Sequence, residues 1–574
     1  MGLNGDCEEQ LAFEKGFISN EIGVIPESKK IFFKVENKGE VLWLFPEQIY
    51  GAFLSKLREF FSNHAERPDV VISVPPFYSA VERQAVLDAC KIGNVNCLKL
   101  VNEDTAVALS YGFFWRKEFH DTNARNVAFL DFGHAKTTVT IASFTQKKVK
   151  ILARKCSRNL GARNFDKTLL EKWEEGLKAK GYDSSQFPKA RLRLLESIEK
   201  ARIILSANIE AGVNIECLWE DNDFHKSITR TEFEEMIAHN VDELKQVMEQ
   251  CIAESGLKHE EIHSIEMMGC GTRIPIIMDT AMKVFKKDVA QRTLHSDEAV
   301  ARGCSLQAAM ILPQYNPSPF DVEECNPIAV DVSWSLTHPH EGHQIKTKTL
   351  IPLKANFPTV KSLTFDNRHE PMEVLVSYPE NSAIVKGIHN LVAWYHIEVP
   401  KPKHEKFGLK LRVKLDQNQI PSLDTAELVE DYKEEKKIPI KQAPAPAPPA
   451  PKEGEAAPEA PPAPEQQYET KLVDKTTSTN IHFKFEHHGF STNQLNEYHH
   501  FENDMFIADQ KIVQVKEMRN ALETYVYDNW AALDTYGDKA KFIEDAEWEK
   551  YLEHLNGVEA WLYADGEHAS KDEY

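Results

Sequence analysis

Among its 574 residues the chain has no apolar run of about eighteen, the length a helix needs to cross a bilayer, so no membrane-spanning helix is expected. Its first residues, Met1-Gly-Leu-Asn-Gly-Asp-Cys-Glu-Glu, carry neither a basic start nor an apolar core, and the tail lacks a retention tetrapeptide. No secretory leader is therefore expected, and the cytoplasm is the default compartment. Positive charge is scarce: 68 Lys and Arg stand against 89 Asp and Glu, a formal net charge of −21. That balance repels nucleic-acid phosphates and anionic lipid, so neither nucleic acid nor membrane is an expected partner. The nine cysteines are odd in number and include no Cys-x-x-Cys, which fits reduced thiols better than a disulfide frame or a zinc site. His482, His487, His488, His499 and His500 offer enough imidazole for a metal, yet their polar surroundings fit a solvated segment.

The chain is too long for one core, so two to four domains are expected. From residue 30 to about 312, strand and helix patterns alternate as an α/β layered domain requires. Glu47 to Ser62 reads as an amphipathic helix, Val70 to Val74 as a buried strand and Val81 to Ile92 as a helix; Leu192 to Asn208 and Thr231 to Glu254 read as two long ones. Between Pro313 and Pro327 the composition turns to Pro, Asn and acidic residues, a linker pattern. Short strand-like runs follow, among them Ile328–Trp334, Met372–Tyr378 and Phe407–Leu415, with the spacing of a β-sandwich; Ile481–Phe485 can close it. The Pro, Ala and Glu of Ala443–Gln467 leave too few large apolar side chains to pack, and the expectation is a disordered insertion. Ser491-Thr-Asn-Gln494 has capping-box spacing and opens a helical tract that runs, with breaks, to the end. Within it Tyr525, Tyr527, Trp530, Leu533 and Tyr536 form an aromatic stripe, suited to helix–helix packing or to a partner surface.

Two segments carry chemistry. In Ile265-Glu-Met-Met-Gly-Cys-Gly-Thr-Arg-Ile-Pro275 an apolar strand meets Gly269 and Gly271 and then a helix able to start at Pro275. Glycines let backbone N–H groups close on a purine or phosphate, and the helix N-terminus adds a positive dipole end. A plain strand-to-helix turn fits the same residues. In Val127-Ala-Phe-Leu-Asp-Phe-Gly-His-Ala-Lys-Thr-Thr-Val-Thr-Ile141 a buried strand ends in Asp131-x-Gly133, turns and returns. Asp131 can hold magnesium through a water beside a phosphate; an ordinary hairpin turn is the plain alternative. Glu199 and Arg202 lie three apart on one helix face, placed to reach one ligand or to form a surface ion pair.

These segments, in order with Ser73-Val-Pro-Pro-Phe-Tyr, Val101-Asn-Glu-Asp-Thr-Ala-Val-Ala-Leu-Ser-Tyr-Gly112 and Asp297-Glu-Ala-Val-Ala-Arg-Gly303, resemble the 70-kDa heat-shock protein family. His134, Ala135 and Lys136 stand where ordinary members carry a glycine run and a threonine, and Gly-His there is similar to the large 110-kDa type. Ala521-Leu-Glu-Thr-Tyr-Val-Tyr-Asp528, Glu559-Ala-Trp-Leu-Tyr-Ala-Asp-Gly566 and the acidic insertion resemble that type too.

The resemblance implies an actin-like ATPase-type nucleotide-binding domain over residues 1–312 and a linker over 313–327. A β-sandwich peptide-binding domain over 328–490 and a helical lid over 491–574 complete the fold, with a disordered insertion at 430–467. It implies a nucleotide set of Glu103, Asp131, Gly133, Gly161, Glu199, Arg202, Gly269, Gly271, Thr272, Arg273 and Asp297, binding ATP or ADP with Mg held through Asp131. Arg202 and Ile203 stand where Lys and Arg are usual, which weakens base stacking, and Ala162 replaces a second glycine. The linker lacks the family's apolar leucine run, which argues against nucleotide-driven coupling of the two halves. Residues 9 to 61 resemble the segment just beyond the family's catalytic lysine. The implied nucleotide domain therefore lacks its first strands and phosphate loop, either because the sequence is an incomplete copy or because a short form has dropped ATPase chemistry. At most a weak ATPase is expected, with no catalytic residue in this chain.

The implied function is that of an ATP-binding co-chaperone that holds unfolded clients and acts as nucleotide exchange factor for 70-kDa heat-shock partners. An ATP-hydrolysing folding chaperone and a nucleotide-free client scaffold are the alternatives.

Overall fold

The computed structural model describes residues 1–37, 39–61, 67–178, 181–183, 186–315, 320–335, 345–439, 468–533 and 542–574. The central sheet has five strands in the spatial order Ile262–Met268, Arg125–Phe132, Thr137–Phe144, Lys148–Ser157 and Asp321–Glu323. Strands Arg125–Phe132 and Thr137–Phe144 are buried along most of their length because both faces are covered. Alternate residues go to opposite sides. Ala128, Leu130 and Phe132 join Phe165, Leu169, Leu194 and Leu244 in one core, whereas Val127 and Phe129 join Tyr111, Phe119 and Phe144 in another. A separate parallel pair, Asp69–Val74 with Asn96–Asn102, leads into helix Glu103–Trp115. That helix meets helix Ala299–Ile311 so closely that a Cβ on Gly303 would lie 1.9 Å from the Ala106 carbonyl oxygen.

Local sequence signals place most boundaries. Pro46, Pro188 and Pro275 each open a helix, where a missing N–H costs nothing. The helix expected from Leu192 therefore starts earlier, at Pro188, and stops at Leu205. The one expected from Thr231 is split into Arg230–Met236 and Ala238–Ser255, the first capped by Thr229.

Two boundaries need correction. The stretch 313–327, read as linker, holds a strand: Asp321–Glu323 adds in parallel to Lys148–Lys150. Glu323 ion-pairs with Lys148 and, at 2.8 Å, with Lys150, while Phe320 is buried against Gly112. Charge and one aromatic ring thus seat a connector that has no leucines. The insertion read from residue 430 begins later, because strand Pro421–Pro439 pairs with Tyr468–Ile481 from Ala426↔Ile481 to Pro439↔Tyr468. Acidic residues persist in this strand because they find partners: buried Glu430 accepts the His404 backbone N–H at 2.9 Å. Ala443–Gln467, read as disordered, lies outside the described residues.

The β region is a sandwich. A five-stranded sheet (Ile345–Ile351, Val330–Ser335, Met372–Ser377, Leu391–Ile397, Phe483–His487) faces a four-stranded one (Thr359–Asp366, Lys406–Leu415, Pro421–Pro439, Tyr468–Ile481). Val332, Val374, Ile397, Leu409, Leu411 and Val413 fill the space between them. The sandwich sits against the α/β part: the Ala80 N–H donates to the Tyr378 hydroxyl at 2.9 Å and the Leu100 N–H to Asn418 Oδ1 at 2.9 Å.

Ser491 and Gln494 form the expected capping pair at the start of helix Thr492–Leu533, which lies along the α/β part. The Phe490 N–H donates to the Asp88 carboxylate at 3.0 Å, and His499 Nδ1 meets the Ile92 carbonyl at 3.0 Å. Helix Asp545–Leu562 folds back, burying Leu555 and Leu562 with Val526 and Leu533. The aromatic stripe divides. Leu533 is buried, Tyr525 and Tyr527 are exposed with hydroxyls bonded to those of Tyr551 and Tyr563, and Tyr536 lies outside the described residues. Among the described residues no helix is long and apolar enough to cross a membrane, and no cluster of three His, Cys, Asp or Glu is placed to hold a metal.

Candidate functional site

The loop after strand Ile262–Met268 and the hairpin after Arg125–Phe132 lie side by side, because those strands pair in parallel with Met268 opposite Asp131. Three glycines set how close they come. Gly269 has φ +76°, and a Cβ there would sit 2.6 Å from Asp131 Oδ1 and 2.6 Å from the Phe132 carbonyl oxygen. A Cβ on Gly271 would meet the same carbonyl at 2.7 Å, and one on Gly161 the His134 carbonyl oxygen at 2.5 Å. The hairpin is therefore gripped from both sides by backbone, a fit that only glycine permits.

Gly133 differs. A Cβ there would find only the Lys136 carbonyl oxygen, at 3.6 Å, so protein packing does not demand glycine at this position. Among the described residues nothing accepts the N–H groups of His134 and Ala135, whereas the Gly133 N–H closes the turn onto the Lys136 carbonyl at 3.1 Å. Room beside Gly133, two uncommitted amides and an adjacent carboxylate are the groups that a phosphate with a metal-bound water would use.

The remaining residues of the implied set fall into three groups. Glu103, at the first turn of helix Glu103–Trp115, ion-pairs with Lys136 of the hairpin. On helix Pro188–Leu205, Arg202 is buried and holds Asp166 through two bonds of 2.7 and 3.1 Å, and it reaches Glu199 at 3.4 Å. Thus Arg202 is committed to the protein, chiefly to Asp166 and only secondarily to Glu199. Burial pushes the Asp166 carboxyl up to about 6 even against that guanidinium. His134, its pKa lowered by burial, feels both Glu199 and Arg202, so this helix borders the hairpin tip. The third group is outermost. Thr272 is buried with its hydroxyl on the Gly269 carbonyl at 2.7 Å, but Arg273 and Asp297 are exposed and 3.9 Å apart. Cys270 donates to Asp297 at 2.9 Å, which lowers the carboxyl pKa and raises that of the thiol.

Residue-type patterns missed Lys136, Asp166 and Cys270. Lys136 and Cys270 lie inside the motifs and Asp166 follows Gly161 closely, yet their roles depend on partners far away in sequence.

Burial, with Asp104 nearby, pushes the Asp131 carboxyl up to about 6. A carboxyl raised in the folded state stabilises fully below its unfolded pKa, and that contribution is lost as pH rises through about 6. At neutral pH the ionised Asp131 is thus a burden on the fold. We expect Asp131→Asn to stabilise the protein by about 1–3 kcal/mol at pH 7.5 and by much less at pH 4.5. Denaturant titrations at both pH values test this, and equal effects at the two would refute it. The same change removes the charge that a metal-bound water requires.

Comparison with known proteins follows the same lines. A sequence model of the family described as Hsp70 protein matches residues 11–574. The chain is 31% identical to Heat shock 70 kDa protein 16 of Arabidopsis thaliana over 95% of this chain and 70% of that protein. It is 30% identical to Heat shock 70 kDa protein 14 of the same plant, covering 93% and 69% of the two chains. A heat shock protein homolog of Saccharomyces cerevisiae is 29% identical over 96% of this chain and 76% of its own length.

Proposed function

The chain belongs to the Hsp70 family, and from that membership we propose an ATP-binding chaperone of the 110-kDa heat-shock type. It holds unfolded polypeptide and acts as a nucleotide exchange factor for ordinary 70-kDa partners. The observation that carries this reading is the seating of the sandwich and the long helix Thr492–Leu533 on the α/β part, with Phe490 tied to Asp88 and Tyr378 to Ala80. Such an assembly offers one continuous body to a partner.

ATP serves chiefly as a structural ligand that stabilises this arrangement by binding it preferentially. Asp131 holds magnesium through water, and the hairpin around Gly133, with Gly161, Gly269 and Gly271 behind it, receives the phosphates. Glu103, Thr272, Arg273 and Asp297 frame the cleft, and Glu199 and Arg202 border the nucleoside side. Bound Mg-ATP supplies charge neutralisation at the hairpin tip; this chain's residues bind and orient it. The cytoplasm is the proposed compartment.

The test uses purified chain with a heat-denatured client and with a 70-kDa partner loaded with a fluorescent nucleotide. Suppressed aggregation together with faster nucleotide release is the expected result, and failure of both overturns the reading. Steady ATP turnover without a partner would instead favour a self-sufficient foldase, and protease sensitivity unchanged by ATP would favour a nucleotide-free scaffold.

A further inference from the structure

We propose that Lys136 is a phosphate-binding residue of the nucleotide site, supplying from the hairpin tip a cation that grips the terminal phosphates. This rests on the nucleotide-binding reading given above. Lys136 closes the turn that begins at Gly133, and its ammonium lies against the Glu103 carboxylate at the start of helix Glu103–Trp115. Both side chains are only about a quarter exposed or less, Lys136 at 26% and Glu103 at 19%. A lysine half-withdrawn from water beside one carboxylate keeps two donors for a second anion.

The hairpin carries other groups open to an anion beside Lys136. Its tip amides at His134 and Ala135 are uncommitted, and the space at Gly133 is open on the same turn. The other cations nearby are engaged elsewhere: Arg154 with Asp104 and Glu324, Arg163 with Glu14, Arg202 with Asp166. Acidic groups dominate what remains, with Asp131 and Glu103 at the tip and Asp104 behind. A polyphosphate approaching this cluster needs a cation besides its own magnesium, and Lys136 stands on the turn itself, paired with Glu103. Burial lowers its pKa to about 8. An arriving phosphate restores the proton, so binding above pH 8 takes up a proton from solvent.

The experiment compares the parent protein with Lys136→Met and Lys136→Arg by calorimetry, using ATP, ADP and adenosine in buffers of different ionisation enthalpy. For Lys136→Met we expect affinity for ATP and ADP to fall about 10- to 100-fold, the range of one charge-assisted hydrogen bond, with adenosine unaffected. Lys136→Arg should retain binding and lose the proton uptake at pH 8.5 that the parent shows. Thermal midpoints of the unliganded proteins separate this from a purely structural pair with Glu103, which would shift stability and leave nucleotide affinity alone. Equal ATP affinity in parent and Lys136→Met overturns the proposal while sparing nucleotide binding itself. A parent that binds no nucleotide overturns both.

Discussion

Replacing Arg154 with methionine will destabilise the protein by about 3–5 kcal/mol, the cost of leaving buried charge without its partner. Arg154 lies almost fully inside, its Nε 2.6 Å from Asp104 Oδ2 and its Nη2 2.6 Å from Glu324 Oε1. Burial alone would lower its pKa, but the two carboxylates outweigh burial and raise it. Thr105 and Thr140 complete the cluster at 3.1 and 3.0 Å. Asn102 then links Glu324 to Arg83, whose Nη2 meets Asn102 Oδ1 at 2.6 Å. This chain of contacts runs from the central sheet through the connector to the base of the sandwich. Methionine fills much of the volume but leaves Asp104 and Glu324 without their cation: the Asp104 pKa, already raised by burial, climbs further, and that of Glu324, which Arg154 helps to hold low, rises as well. By linkage the variant regains stability as pH falls through those raised folded values and loses it again as pH rises through them. Urea denaturation at pH 7.5 and pH 5 checks this, and a deficit that does not shrink at pH 5 would count against it. Protease cleavage in the connector should accelerate as well, since Glu324 holds that segment.

Gly269→Val is the second change with a large expected effect, and it bears on the site. Its φ of +76° is strained for a side chain, and the new Cβ would lie 2.6 Å from Asp131 Oδ1 and from the Phe132 carbonyl oxygen. Positive φ costs a residue with a Cβ about 1–2 kcal/mol, and forcing atoms into packed backbone adds about 1–3 kcal/mol. The strands carrying loop and hairpin must separate, so nucleotide affinity should fall about tenfold for each 1.4 kcal/mol withdrawn from the bound geometry. Gly133→Ala makes the contrast: its Cβ would make only an ordinary contact, 3.6 Å from the Lys136 carbonyl oxygen, so it should fold with parental stability and lose nucleotide affinity only because the ligand wants the same space. Thermal denaturation with nucleotide titration of both variants decides the matter. A Gly269→Val protein as stable as the parent would show that the loops are not pressed together.

What could be read from the sequence was local. Pro275 opens its helix, Ser491 and Gln494 cap theirs, and Asp131-x-Gly133 turns between two strands, because each depends on residues within one turn of itself. Where a partner is remote, the reading fell short. Strand Pro421–Pro439 extends to its end because Tyr468–Ile481 lies beside it, a pairing that acidic composition conceals. The strand Asp321–Glu323 needs Lys148 and Lys150, far upstream, before it is a strand at all. Within the site, the spacing of Glu199 and Arg202 was visible, but the capture of Arg202 by Asp166 follows from helix packing that no periodicity records. In the sequence Lys136 is only a departure from a family pattern; its ion pair with Glu103 is what gives it a role.

The long-distance ties between Asp88 and Phe490, and between Ile92 and His499, also govern how the molecule is made. On the ribosome the helix Ala80–Ile92 emerges ahead of these partners by 402 residues for Phe490 and 407 for His499. Contacts of such sequence separation are slow to form, and the surface that awaits them stays bare meanwhile. This member of a chaperone family therefore passes through a long interval of synthesis in which it needs shelter itself.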